Sequence, residues 1–269
     1  MTDYHENLTN ATLKWLEHKS IRKHIFHYTK QVIATSIIST RPPLLRSYDI
    51  WTMKDVKEFH FSFEEFFKLA KRRGLHKYIH PVEIFYQNEL KNPTFRYFVT
   101  SFTGTHLKYK HWTHYAQKYS GVCLKLRPSD PQIVGKTTLD MLMGASVIYN
   151  QTIQSKLLNR LFDHYKANAK RIEKGFSSQS IAGNHFSRLN IGLYQALVVY
   201  GLIFKTRKYK WEDEYRLVSM VSDQSLIKLC RATSRHYVDL SIPTNTELYY
   251  GKHSTKPYPG CPIRVSQLG

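Results

Sequence analysis

Apolar positions recur at helical spacing in several stretches of the chain. Leu8, Ala11, Trp15 and Leu16 fall at i, i+3, i+7 and i+8 and predict a helix over Asn7 to Lys23. Ser62 to Arg73 predicts a second, with Ser62 as N-cap, Glu64 and Glu65 in the first turn, and Lys71, Arg72 and Arg73 before Gly74. Further helices are predicted over Val82 to Lys91 and, more briefly, Lys110 to Tyr119. Ile153, Leu157, Leu158, Leu161, Phe162, Tyr165 and Ile172 share one broad face and predict the longest helix, Gln151 to Lys174. Gly175 to Asn184 then reads as a loop and Phe186 to Phe204 as helix again.

Between and after these stretches the pattern is that of strands. Tyr97 to Phe102 and Gly121 to Leu126 are rich in β-formers, and Arg127-Pro128 stops the second. Ser146 to Asn150, Tyr237 to Ile242 and Glu247 to Gly251 are shorter strand candidates. Trp211 to Met220 alternates Glu212, Glu214 and Arg216 against Asp213, Tyr215 and Leu217. Lys23 to Ser36 carries an apolar run, and Arg41-Pro42-Pro43 breaks the chain into a loop. The pattern predicts one α+β domain over residues 1–269, with a helical extension at about 1–23 and a helical insert at about 151–204.

Composition narrows the function classes. The 269 residues suffice for a sizeable core, and 42% hydrophobic residues exclude disorder over most of the chain. The longest apolar run, Ala196 to Phe204, has the length of a buried element and falls short of a membrane span. The formal net charge of +20 favours polyanionic partners such as nucleic acid, an acidic membrane or an acidic protein, or simply aids solubility. Cys123, Cys230 and Cys261 form no CxxC pair, which points to a reducing compartment. Residues 1–10 lack the hallmarks of a secretory signal peptide. The expected location is the cytoplasm, or a host or target cell reached by a signal-peptide-independent route.

Among motifs, the chain has no P-loop, GxGxxG or GxSxG. Its 14 histidines include no HExxH and no Cys/His pair at zinc spacing, so no metal is expected. The most informative segment is Lys205 to Arg216. Read as a strand, it places Glu212, Glu214 and Arg216 on one face. Two carboxylates so close raise at least one pKa unless a cation compensates. An exposed face laced with salt bridges and a carboxylate pair working on a cationic transition state both satisfy that pattern. Thr100-Ser101-Phe102-Thr103-Gly104, followed by Trp112 and Tyr115 on one helical face, would frame a flat ligand or simply cap a strand and fill a core. His27-Tyr28-Thr29 would present a hydroxyl-binding His or an ordinary half-buried one.

Taken in order, these segments resemble one family. His27-Tyr28-Thr29 resembles its "HYT" strand. Met53 to Glu58 resembles its "NDxxE" loop, with Lys54 where Asn is usual. Ser101-Phe102 resembles its "SF" strand, and Trp112 to Ala116 followed by Tyr119 to Leu124 its "WxxYA…GVCL" stretch. Val147-Ile148-Tyr149, Lys205 to Arg216 and Glu247 to Gly251 resemble its "VxY", "K…WExEYR" and "IxxIxxG" segments. This is the largely bacterial domain-of-unknown-function family 2971, which is similar in fold to the ADP-ribosyltransferases. The resemblance implies a pair of small antiparallel sheets cradling NAD⁺ as substrate. It implies that His27 holds the adenosine-side ribose and that Ser101 sits beside the nicotinamide ribose. Tyr28, Phe102, Trp112 or Tyr115 would lie against nicotinamide, with Thr29 and Arg216 completing the NAD site. Glu214 would be catalytic, and Glu212 would face the acceptor. The implied protein is an NAD-dependent ADP-ribosyltransferase, a bacterial toxin or effector acting on a macromolecule, protein arginine favoured over nucleic acid. The alternatives are an NAD glycohydrolase with the same site and a non-catalytic basic module that binds nucleic acid.

Overall fold

The computed structural model describes residues 22–52, 56–74, 76–91, 93, 96–136, 141–175, 179–221, 223–251 and 263–264. The helix expected over residues 7–23 lies outside them except for Arg22 and Lys23, which are not helical. Met53 to Asp55, including Lys54, and Cys261 also lie outside.

The chain divides into two compact units, each assembled from separated segments. The first contains Lys54–Thr94 and Val147–Tyr209 and is helical. Its elements are α2 (Val56–Arg72), α3 (His76–Lys91), α5 (Gln151–Gly175) and α6 (Gln179–Ile203). Phe59, Phe63, Phe66, Phe67 and Ala70 recur along one face of α2 and are all buried. That periodicity begins one full turn before Ser62, so the helix starts at Val56, and Ser62 is an interior residue rather than the expected N-cap. Its hydroxyl, buried, donates to the Leu197 carbonyl at 2.9 Å. Gly201 allows this close crossing of α2 and α6, since a Cβ there would lie 2.6 Å from the Phe59 carbonyl oxygen. Phe63 stacks on Tyr86 of α3 with centroids 4.1 Å apart. α6 begins at Gln179, so the expected loop over 175–184 is mostly helix. The apolar run at 196–204 is buried, as its length predicted. Among the described residues no helix is long and apolar enough to cross a membrane.

The second unit contains Ser20–Met53, Phe95–Ser146 and Lys210–Gly269 and holds an antiparallel sheet. In chain order its elements are β1 (Ile25–Thr29), α1 (Gln31–Ile38), β2 (Leu44–Asp49), β3 (Arg96–Thr103), α4 (Tyr109–His114), β4 (Val122–Leu126), β5 (Gln132–Ile133), β6 (Met141–Ser146), β7 (Glu214–Val221), β8 (Lys228–Cys230), β9 (Arg235–Ser241), β10 (Glu247–Tyr250) and β11 (Ile263–Arg264). The strands are hydrogen-bonded in the order β11-β10-β4-β1-β3-β2-β9-β5, with β7 also on β3, β6 on β7 and β8 on β9. The protein is therefore α+β, with a curled antiparallel sheet. β3 is its hub. It pairs with β7 along its whole length, from Arg96↔Val221 to Thr103↔Glu214, but with β1 only at Phe26↔Thr103. Ile25, Phe98, Phe102, Leu124, Leu217, Leu240 and Leu248 form the main core of the unit.

α4 ends at His114 rather than Tyr119. Gln117, Lys118 and Tyr119 all adopt positive φ (48°, 51° and 72°), which no right-handed helix contains. Gly121 then enters β4 against the Thr29 carbonyl and the Ala116 backbone, where a Cβ would collide.

Candidate functional site

All the expected site residues fall within the β-rich unit, and the topology of β3 brings several together. Every residue of β3 from Tyr97 to Thr103 is buried except Ser101. Ser101 lies opposite Arg216 on β7, and Thr103 lies opposite Glu214. Alternation then places Ser101, Thr103, Glu214 and Arg216 on one face. The Ser101 hydroxyl donates to Glu214 Oε1 at 2.5 Å. Arg216 donates from Nε to the same oxygen at 2.8 Å and from Nη2 to Oε2 at 3.2 Å. Glu214 and Arg216 are both buried. The guanidinium fork thus fixes the plane of the carboxylate, as bidentate pairs do.

On the other side of β3, His27 Nδ1 lies 3.0 Å from the Ser101 carbonyl oxygen. A carbonyl only accepts, so Nδ1 carries the proton and Nε2 is left with its lone pair. Burial holds the His27 pKa below 6.5, against the opposing pull of that carbonyl, so the ring is neutral at pH 7. Neutral Nε2 is suited to accept from a hydroxyl.

Glu212 is placed differently from expectation. Residues Arg207–Glu212 form a 3-10 helix, and β7 begins only at Glu214. Asp213 between them has φ of 48°, a left-handed conformation that Asp tolerates better than most residues. Arg22 Nη2 and Lys108 Nζ hold its carboxylate at 2.9 and 3.4 Å. Burial raises its pKa, but the two cations outweigh burial and leave it below the usual value. This turn breaks the pleat, so Glu212 does not share the strand face of Glu214 and Arg216. Its carboxylate instead accepts from the Tyr115 hydroxyl at 3.0 Å, and its backbone carbonyl accepts from His111 Nε2 at 2.8 Å. Tyr115 is exposed, and Trp211 lies nearly parallel to it, at 17° with centroids 6.2 Å apart. Lys110 Nζ sits 5.6 Å from the Trp211 ring centroid.

Of the four aromatic rings expected near a flat ligand, Tyr115 is the exposed one. Trp112 is buried, donates to the His106 carbonyl at 2.8 Å and stacks on Tyr119. Tyr28 is buried, T-shaped to Trp112, and donates to the Thr105 carbonyl at 3.0 Å. Phe102 lies in the main core with His27 5.5 Å away. Thr29 is buried at the end of β1 beside Gly121. Phe102 thus packs against His27, whereas Tyr28 and Trp112 belong to a second apolar cluster with Phe26, Ala116, Cys123 and Tyr249. Val56 to Glu58 of the expected loop begin α2 instead.

Three contributors were not singled out from the sequence: His111, Asp213 and Trp211. His111-x-x-His114 is a spacing that chance supplies in a His-rich chain. A left-handed Asp between two glutamates leaves no periodic signature.

Three histidines, His111 buried and His27 and His106 half-buried, set a pH dependence. Burial is the largest influence on His27, His106 and His111, and each is held below 6.5. A histidine whose folded pKa is depressed contributes stability that is complete above its unfolded pKa and lost as pH falls toward the folded value. Urea unfolding is expected to give constant stability from about pH 8 to 7 and a decline from about pH 6.5 to 5. A flat profile across that window would contradict the burial argument.

No curated protein matches the chain, and no solved structure does. Residues 111–217, which run from His111 at the floor of the Glu212 turn through Glu214 and Arg216, match the family described as "Protein of unknown function (DUF2971)".

Proposed function

We propose that the protein is an NAD⁺-dependent ADP-ribosyltransferase with an ADP-ribosyltransferase-like fold, a bacterial toxin or effector whose acceptor is a macromolecule, protein arginine first. One observation carries this reading: His27, Ser101, Glu214 and Arg216 are linked in one continuous set of hydrogen bonds across β1, β3 and β7. The narrow join of β1 to β3 at Phe26↔Thr103 also supports a sheet working as two halves.

In this reading His27 Nε2 accepts from a ribose hydroxyl of NAD⁺, and the Glu214 carboxylate faces the nicotinamide ribose beside Ser101. The bond between nicotinamide nitrogen and ribose C1′ breaks, and nicotinamide leaves as a neutral molecule with the bonding electron pair. Positive charge develops on the ribose, and the fixed carboxylate stabilises it more than it stabilises the ground state. An acceptor nitrogen then bonds to C1′, and Glu212, beside the exposed edge of Tyr115, takes its proton.

Incubation of the purified chain with NAD⁺ labelled in the adenylate half, in cell lysate with and without nuclease, tests the proposal. The expected result is free nicotinamide and a nuclease-resistant labelled protein. Nuclease-sensitive label would move the acceptor to nucleic acid. Nicotinamide release without macromolecular label would make the enzyme a glycohydrolase, and neither product would remove the catalytic reading.

A further inference from the structure

A second cluster of chemistry-bearing side chains lies in the helical unit, on α3. His76, His80 and Glu83 follow at i, i+4 and i+7, so the helix puts all three on one face. Their donor atoms converge. His76 Nε2 is 3.2 Å and His80 Nδ1 4.0 Å from Glu83 Oε2, and the three candidate ligand atoms lie within 4.8 Å of one another. We propose that His76, His80 and Glu83 bind a borderline transition-metal ion, Zn²⁺ foremost, with at least one coordination position open to solvent. The proposal goes beyond the sequence reading, which tested HExxH and Cys/His spacings and passed over H-x₃-H-x₂-E.

The chemistry of the donors selects the ion. Two imidazoles and one carboxylate suit zinc and its neighbours, whereas magnesium and calcium favour all-oxygen sets. Tetrahedral bonds of ~2.0–2.1 Å put ligand atoms ~3.3 Å apart, so the donors must close by about 1.5 Å at most. The side chains are free to do so, being 47% exposed at His76 and 57% at His80. Lys71 approaches the other carboxylate oxygen, Oε1, at 3.6 Å and leaves Oε2 toward the histidines.

The location gives the ion mechanical leverage. Pro81 lies inside α3, between the second histidine and the glutamate. Proline has no N–H to donate to the carbonyl four residues earlier, which weakens the first turns of the helix. A metal joining His76 and His80 to Glu83 ties the chain together across that defect. An ion bound to the folded helix and not to the unfolded chain must also stabilise the unit.

Titration calorimetry of the untagged, metal-stripped full chain with ZnCl₂ and with MgCl₂ tests the site. Saturable one-to-one Zn²⁺ uptake is expected, with none for Mg²⁺. The double variant His76→Ala/His80→Ala should weaken Zn²⁺ binding by more than ~100-fold, and Glu83→Gln by at least ~10-fold. Histidine ring resonances of His76 and His80 in the parent should shift first on Zn²⁺ addition, a readout that does not depend on the variants folding. Absence of saturable uptake, equal binding by the double variant, undiminished binding by Glu83→Gln, or first shifts at other histidines would each overturn the three-ligand site.

Discussion

Glu214→Gln is expected to lower nicotinamide release from NAD⁺ by ~10²–10³-fold or more, the scale seen when one fixed electrostatic group is removed from a transition state. The substitution removes the charge and replaces the second acceptor of the guanidinium fork, Oε2, with an NH₂ donor facing Arg216 Nη2. Part of its effect therefore falls on stability and is read separately by urea unfolding. Glutamine keeps the side-chain length and a carbonyl oxygen able to accept from the Ser101 hydroxyl and from Arg216, which now approach Oε1 at 2.5 and 2.8 Å. In the proposed mechanism, what disappears is the negative charge opposite the developing oxocarbenium ion. Because that interaction grows between ground state and transition state, the loss should fall on kcat more than on KM. Glu212→Gln makes the informative contrast. Glu212 sits on the 3-10 helix against Tyr115 rather than on β7. Its loss should therefore depress transfer to an acceptor while leaving hydrolysis of NAD⁺ nearly intact. Full activity in Glu214→Gln, with the far-ultraviolet spectrum of the parent, would remove Glu214 from the chemistry.

The parts of this site that were legible in the sequence are those set by period. Tyr97 to Phe102 read as a strand because β-formers fill it, and β3 spans Arg96–Thr103. Glu214 and Arg216, two apart on a strand, were bound to share a face, and they do. What period cannot report is where it is interrupted. Asp213 is left-handed, and two cations, Arg22 and Lys108, hold its carboxylate in that turn. Both partners are remote in sequence, so the break between Glu212 and Glu214 was invisible. β2 was hidden for a similar reason. It follows Arg41-Pro42-Pro43, which reads as a loop, and it is a strand because β9 pairs with it from Leu44↔Ser241 to Tyr48↔Tyr237. The start of α2 was misplaced because Ser62 looks like a cap locally. The phenylalanines at Phe59 and Phe63 override that signal once α6 is available to cover them. The aromatic candidates show the remaining difficulty. Trp112, Tyr28 and Tyr115 are equivalent as letters, and tertiary packing alone buries the first two and leaves Tyr115 exposed.

Arg216→Met should destabilise the fold by about 3–5 kcal/mol, the cost of breaking a buried ion pair by removing one partner. The variant strips the buried Glu214 carboxylate of both guanidinium donors, at 2.8 and 3.2 Å, while the hydroxyl of Ser101 remains. Restoring balance should rescue stability without restoring function. In Glu214→Leu/Arg216→Met neither charge is buried, and apolar groups of similar volume face β3 beside Ser101 and Thr103. Such replacements are often neutral, or stabilising by ~1–4 kcal/mol, because two desolvation penalties vanish together. Urea unfolding of the parent, both single variants and the double variant closes a cycle that isolates the coupling between the two residues. The expected pattern is two unstable single variants, a double variant at or above parental stability, and no NAD⁺ cleavage in the double. A fold that is as stable or more stable without the pair has no structural need of it, so the pair's place on β7 would then have to be explained by the charge it presents. A double variant no more stable than Arg216→Met would give the opposite answer: the buried charges on β7, with the Ser101 hydrogen bond to Glu214, would be part of what stabilises the fold.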